Sequence, residues 1–508
     1  MVTLDDIESD LLQRPSGDAP EEPLERLQST YKPLDTFKLE KNRSYQQQYA
    51  DTYFLRLTKI KPAVDEVAEA AWEGTVIGGE TAKKVNRVLD VRQGELCWVS
   101  GTVYRDMHLK PNILDDVAKD RWISAPTSVK RYFSDDERDA VMLEDDSGRI
   151  RLTGNVLSSF MLVTGCIIAV VGTENANGEF EVIDMKFADL PPQPERWALS
   201  EPPTANGAIK GKKAAAKSDD VEMTDASSPS TSGKIAIVSG LNFSGTDSSY
   251  ALELNLLLDF LLGEALDPSA QAEISHISRL IIAGNSIAAA NPQTGETAGD
   301  KKAAHKKYGY DSSSYNSMPS EQLDDFLSEL LPNIPVTMLP GEHDPANASY
   351  PQQPIHTAMF PRSREFAATP GSKEAGWLDP VTNPWEGEMD GWRVLGTGGQ
   401  NVNDIFKYVD SDDRVGMMEA MCRWRCSAPT APDTLWCYPF QDDDPFVMND
   451  CPHLYFVGSQ PEFATKVIQG TEGQAVRLIA VPSFSETKEI VLVDSETLEV
   501  SRVKISVS

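Results

Sequence analysis

Three short apolar runs, each followed by a glycine, constrain this chain more than any other feature. Ile235-Ala-Ile-Val238 leads into Ser239-Gly240. Arg279-Leu-Ile-Ile-Ala283 leads into Gly284-Asn285, and Pro335-Val-Thr-Met-Leu339 into Pro340-Gly-Glu-His-Asp-Pro345. Helix-spaced text fills the gaps, at Ser248–Leu262 and at Glu321–Leu331. A run with no polar face belongs to a strand covered on both sides, and strands alternating with helices form a parallel sheet. The runs Trp392–Leu395, Leu454–Val457, Val476–Val481 and Ile490–Val493 supply further strands. The expectation is a layered α/β domain over residues 233–508, interrupted by a polar insertion at 291–320.

Upstream the text changes period. Leu96–Tyr104, Ala140–Leu143, Arg149–Leu152, Cys166–Val171 and Phe180–Phe187 alternate and are split by turn signals such as Asp146-Ser-Gly148. Five short strands in about a hundred residues predict a small antiparallel barrel of OB-fold type. Apolar residues at helical spacing precede it from Ser44 to Trp72, and Pro62 predicts two helices meeting there. The helical stretch and barrel together occupy 41–192. Residues 1–40 are polar with Pro15, Pro20, Pro23 and Pro33, and read as a mostly disordered tail. Residues 193–232, above all the Gly/Ala/Ser/Lys text from 200, read as a linker.

Charge narrows the function. Lys and Arg total 47 against 78 Asp and Glu, a net charge of −31. That excludes a chain whose main work is gripping bare nucleic acid, since phosphate neutralisation needs clustered positive charge. The acidic 133–147 segment argues against the barrel as a single-strand binder, and the basic run Lys301, Lys302, Lys306, Lys307 reads as a solvated loop. The N-terminal MVTLDDIESDLL lacks the basic and apolar regions of a signal peptide, and the apolar stretch Phe160–Gly172 is broken by Thr164 and Gly165. A soluble intracellular protein is expected. Cys422, Cys426, Cys437 and Cys451 could suggest zinc, but their spacing fits no paired-cysteine pattern, and buried thiols are the expected reading.

In open α/β sheets chemistry gathers at the carboxyl ends of strands. Those ends are Ser239-Gly-Leu241, Gly284-Asn285, Gly341-Glu-His-Asp344 and Gly458-Ser-Gln-Pro461. Their order resembles the calcineurin-like metallophosphoesterases, where Asp-x-His, Gly-Asp, Gly-Asn-His-Asp/Glu and Gly-His-x-His hold two metals that activate water. The frame is kept and the ligands are largely replaced. Ser239 and Leu241 stand for Asp-x-His, Asn285 for the bridging Asp, Glu342 for the Asn, and Ser459 and Pro461 for the two final histidines. His343 and Asp344 match. One or two oxygen ligands do not hold a dinuclear site, so no catalytic residue, metal or cofactor is expected, and His343 is read as a turn residue.

The resemblance extends further. Leu339-Pro-Gly-Glu-His-Asp-Pro345, Pro351-Gln-Gln-Pro-Ile-His356, Leu395-Gly-Thr-Gly-Gly-Gln-Asn-Val402, Ala428-Pro-Thr-Ala-Pro-Asp-Thr434, Cys437-Tyr-Pro-Phe440 and Tyr45-Gln-Gln-Gln-Tyr49 resemble the small subunits of DNA polymerase delta. That family implies an OB-fold barrel followed by an inactive phosphoesterase domain. It also implies a nuclear, non-catalytic accessory subunit of the replication machinery. Its implied partners are the C-terminal domain of the polymerase catalytic subunit and a third subunit linked to the sliding clamp, with no strong direct DNA binding. The aromatics and arginines Trp377, Trp385, Trp392, Arg423, Trp424 and Arg425 are candidate partner contacts, because such types are enriched at interface cores. The rival readings are an active metal-dependent phosphoesterase or nuclease, and a single-strand-binding module.

Overall fold

The computed structural model describes residues 24–41, 43, 49–111, 131–134, 139–202, 233–245, 250–264, 268–288, 317–369, 371–372 and 374–506. The first 23 residues, residues 45–48 of the tyrosine-glutamine motif, the linker from 203 to 232 and the basic insertion up to 316 lie outside these.

The last part of the expected tail is built into the fold. Strand β1 (Tyr31–Pro33) pairs antiparallel with residues 387–389. The Arg26 guanidinium donates to the carbonyls of Leu261, Ile274 and Ile277. Phe37 is buried. Polar, proline-bearing text hides this because each contact reaches across hundreds of residues and leaves no local periodicity.

Helix α1 (Ala50–Trp72) is one helix with Pro62 inside it, where two were expected. Leu57, Ile60, Val64, Ala68 and Trp72 are buried along one stripe that runs past the proline. An interior proline costs about 3 kcal/mol. Burying four large apolar side chains at about 1.5–3 kcal/mol each outweighs it.

Strands β2 (Leu96–Asp106), β3 (Ala140–Glu144), β4 (Arg149–Thr153), β5 (Ile167–Glu174) and β6 (Glu179–Lys186) match the five expected runs. Their pairings run β2–β3–β4–β6–β5 and back to β2, a closed circuit. In β4, Ile150 and Leu152 are buried while Arg149 and Arg151 face solvent, the period of two that a one-sided strand requires.

The rest of the chain forms two six-stranded sheets. β7 (Lys234–Val238), β8 (Ile277–Ala283), β9 (Val336–Leu339) and β10 (Leu378–Pro380) are parallel neighbours, as the opening runs predict. β11 (Trp385–Met389), β12 (Trp392–Thr397), β13 (Leu454–Gln460), β14 (Ala464–Gln469) and β15 (Ala475–Pro482) make the other sheet with β1, in the order β1-β11-β12-β13-β15-β14. β16 (Glu489–Asp494) and β17 (Val500–Lys504) return to complete the first, as β10-β9-β8-β7-β16-β17.

One face of each sheet meets the other through Ile237, Ile281, Trp385, Phe456 and Ile479. The outer face of the β7 sheet carries helices α2 (Ala251–Leu262), α3 (Pro268–Ile274) and α4 (Met318–Leu330). The outer face of the β12 sheet carries α5 (Gln400–Tyr408) and α6 (Arg414–Arg423). The layers are therefore helix, sheet, sheet, helix.

The five-strand unit and α1 pack on the α5–α6 side and share one continuous apolar cluster with it. Gly165, at φ +91°, lies against the Pro429 carbonyl, where any Cβ would collide. Arg56 of α1, 1% exposed, donates Nε to Asp444 Oδ2 at 2.8 Å and Nη1 to the carbonyls of Pro429 and Ala431 at 2.7 and 2.8 Å.

Candidate functional site

The fold brings the four strand ends together. Ser239 follows β7, Asn285 follows β8, the 341–344 turn follows β9, and Ser459 lies near the end of β13. The Ser239 hydroxyl donates to the Ala283 carbonyl at 2.6 Å and accepts the Ser459 backbone N–H at 2.8 Å. The Ser239 and Ser459 hydroxyls are 3.2 Å apart. Asn285 donates Nδ2 to the Ser459 hydroxyl at 2.9 Å, and its Oδ1 accepts the His343 backbone N–H at 3.1 Å. Gly341 sits against Asn285, and Gly458 against the Ala283 carbonyl and Ser239. Side chains at either glycine would force the ends apart.

The remaining positions are spread apart by exposure. Leu241 is fully buried among apolar residues. Glu342, His343 and Pro461 are exposed. Asp344 is buried, and its two oxygens accept the Ile287 and Gly341 N–H groups at 2.8 and 2.7 Å. Burial pushes its carboxyl above the ordinary aspartate value, while those backbone donors pull the other way. Asp344 thus holds two loops in register.

The donor set does not fit a metal pair. Ser239, Asn285 and Ser459 are neutral and already bonded to one another. Among the described residues there is no group of three or more His, Cys, Asp or Glu that could hold an ion. Cys422, Cys426, Cys437 and Cys451 are all buried. Desolvation pushes Cys426 up to about 11 and both Cys437 and Cys451 to about 12, far from the thiolate a zinc ligand must be.

A second amide cluster, which sequence reasoning missed, backs the strand ends. Asn383 Nδ2 donates to Gln352 Oε1 at 2.9 Å and to Gln400 Oε1 at 2.8 Å, and Gln352 donates onward to the Gly341 carbonyl at 2.9 Å. Asn383 and Gln352 lie on separate loops and Gln400 opens α5, with no shared spacing. Only the amide types at turn positions could have signalled them.

Burial tells against two of the six candidate contact residues. Trp385 and Trp424 are each 1% exposed and pack the interior. Trp392 is half-buried, donates to the Ser495 carbonyl and lies under the Arg196 guanidinium. Arg423 pairs with Asp189 and Glu419. Arg425 donates to the carbonyls of Asp189, Ala188 and Leu190 at 2.7, 3.1 and 3.0 Å. These two arginines join the chain after β6 to the two-sheet unit. The chemistry that suits an interface between chains suits a junction within one, and composition does not separate the two. Trp377 alone of the six is exposed, at 40%.

The five-strand unit is likewise engaged by its own chain. Tyr104 on β2 has the Lys110 ammonium 4.3 Å and the Arg149 guanidinium 4.1 Å from its ring centre. Lys110 also pairs with Asp433 of the two-sheet unit at 2.7 Å. The expected linker begins by packing too: Arg196 pairs with Glu496, and the Leu199 N–H meets Glu388. No helix among the described residues is long and apolar enough to cross a membrane.

Comparison with known proteins matches this architecture. Residues 48–185 match the family model described as the DNA polymerase delta subunit OB-fold domain, and residues 235–465 the one for the B subunits of DNA polymerases alpha and epsilon. A DNA polymerase delta small subunit of Saccharomyces cerevisiae is 34% identical over 498 residues, covering 92% of this chain and 91% of that protein. Those of Oryza sativa subsp. japonica and Arabidopsis thaliana are each 34% identical, over 96% and 95% of this chain and 99% and 97% of their own lengths. A layered two-sheet unit, an OB-fold before it and identity running nearly end to end lead to one conclusion: the chain belongs to the DNA polymerase delta small subunit family.

Proposed function

We propose that this chain is a non-catalytic accessory subunit of DNA polymerase delta, acting in the nucleus as a scaffold in DNA replication. It joins the C-terminal domain of the catalytic subunit to a third subunit that reaches the sliding clamp. The working parts are an OB-fold barrel with its helix over 41–192 and a calcineurin-like phosphoesterase domain over 233–508 that has lost its chemistry. The layered helix–sheet–sheet–helix order and the gathering of four strand ends support that second assignment. The observation that carries the proposal is the neutral, self-bonded cluster of Ser239, Asn285 and Ser459, which leaves a platform without a reactive centre.

The scaffold acts by geometry. Tethering converts a second binding event into an intramolecular one and raises its effective concentration. A single apolar cluster running from α1 to α6 makes the platform stiff enough to fix the distance between its partners. Co-expression with a polymerase delta catalytic subunit is the direct test. A stable one-to-one complex through size exclusion is expected. Separate elution of the two chains at micromolar concentration would overturn the proposal.

A further inference from the structure

We infer that Asn285, Ser459 and Ser239 form a one-way hydrogen-bond chain that staples the strand ends together in the place where a metal pair would otherwise link them. This deepens the reading of a phosphoesterase frame without its chemistry, and rests on it.

The direction of the chain follows from donor arithmetic. The His343 backbone N–H can only donate, so the Asn285 oxygen faces it and the Asn285 nitrogen faces Ser459. Each serine hydroxyl has one proton. Ser239 gives its own to the Ala283 carbonyl, so at Ser459 it accepts, both from the backbone N–H and from the hydroxyl. Ser459 therefore accepts from Asn285 and donates to Ser239. The order is His343 N–H to Asn285, Asn285 N–H to Ser459, Ser459 O–H to Ser239, and Ser239 O–H to Ala283. It crosses the ends of β7, β8, β9 and β13, which belong to both sheets.

Backbone shape agrees. Asn285 and Ser459 sit at φ +52° and +54°, where non-glycine residues are uncommon. A held backbone of this kind persists when its surroundings over-determine it. Gly341 and Gly458 close the approach from either side. An Asp at position 285 would keep the acceptor for His343 but lose the donor for Ser459, so the Ser459 hydroxyl would turn from Ser239 to the carboxylate and the chain would be cut at Ser239.

The test uses the full-length chain with Asn285→Gly, Ser459→Gly, their combination and Asn285→Asp. Glycine takes positive φ without strain, and the strain it relieves is opposed by the extra freedom it gives the unfolded chain, so the lost polar group is the main change. Melting is followed in EDTA and in Mn²⁺, and exchange of the His343 amide by hydrogen–deuterium exchange. Each single glycine variant is expected to melt about 1–2 °C lower, and the double variant less than the two losses combined, because both break the Asn285–Ser459 bond. Asn285→Gly is expected to speed His343 exchange about tenfold, whereas Asn285→Asp keeps that amide slow yet still melts lower. Additive losses, unchanged melting or unchanged exchange in Asn285→Gly would overturn the staple. Mn²⁺ raising the melting point of the unaltered chain, with phosphodiester cleavage, would instead overturn the reading beneath it; the EDTA arm reports on the staple separately.

Discussion

The strand-end cluster, half-buried at Asn285 and Ser459, and the fully buried α1 junction are both polar, yet they are made of opposite materials. The cluster uses hydroxyls and an amide between loops of one fold. The junction uses a guanidinium and a carboxylate, Arg56 and Asp444, between two units. A neutral hydrogen bond contributes about 0.5–1.5 kcal/mol, and at half-buried Asn285 and Ser459 water can replace a lost partner. A buried charge left without its partner costs several times more. The strand ends can tolerate drift in sequence, whereas the junction must keep both partners.

The largest expected effect follows from this difference. Arg56→Ala should destabilise the chain by about 3–5 kcal/mol, because Asp444 is left buried without its counter-charge and the Pro429 and Ala431 carbonyls lose their donor. Denaturant unfolding measures it. A loss no greater than that of Ser459→Gly would erase the contrast between the regions. Next comes Arg425→Ala, which removes a cation from three backbone carbonyls and should cost about 1.5–3 kcal/mol. It should also raise the proteolytic sensitivity of the 188–202 segment, seen by limited trypsin digestion.

What the sequence made legible divides along the same line. The five strands of the OB unit and the parallel runs after 234 were readable, because burial on one or both faces imposes a period on neighbouring residues. The strand-end positions were readable as well, since Gly240, Gly284, Gly341 and Gly458 punctuate the apolar runs. The junction was not. Arg56 in α1 and Asp444 are 388 positions apart, and nothing local distinguishes them from solvated charges. Trp424 and Arg425 raised the same difficulty, and so did Arg26, Tyr31 and Phe37 in text that reads as a tail. Long-range polar contacts carry no periodicity, so they appear only when the fold is assembled.

Acid sharpens the comparison, because neutral hydroxyls and amides do not titrate. His453 is buried beside Trp392, and its Nδ1 accepts the Arg393 N–H at 3.1 Å. Burial first, then the charges of Arg393 and Arg196, hold its pKa below 6.5, against opposing pulls from the Pro194 backbone and Glu388. The unfolded chain takes up this proton near 6.5 and the folded chain resists it. The stabilising contribution is therefore complete above 6.5 and is lost as pH falls towards the lower folded value. His453→Gln keeps an acceptor for Arg393 without a proton to gain. Its denaturation midpoint should fall less steeply than that of the unaltered chain just below 6.5, and equal slopes would remove His453 from the account.

The smallest expected effect concerns a residue in neither region. Trp377 is 40% exposed, and its backbone carbonyl accepts the Val336 N–H at 2.7 Å. Trp377→Ala leaves that carbonyl in place, so stability should change by no more than about 0.5 kcal/mol. Trp424→Ala removes a side chain of the same type from the interior and should cost about 3–5 kcal/mol. The two tryptophans thus separate packing from surface within one experiment. If Trp377 contacts a partner, its alanine variant should weaken co-purification with the catalytic or third subunit while melting as the unaltered chain does, since exposed aromatics contribute to interfaces by being desolvated there. Unchanged affinity for both partners would assign this ring to solvent, and of the six candidate residues only the half-buried Trp392, Arg423 and Arg425 would then keep surface for a partner.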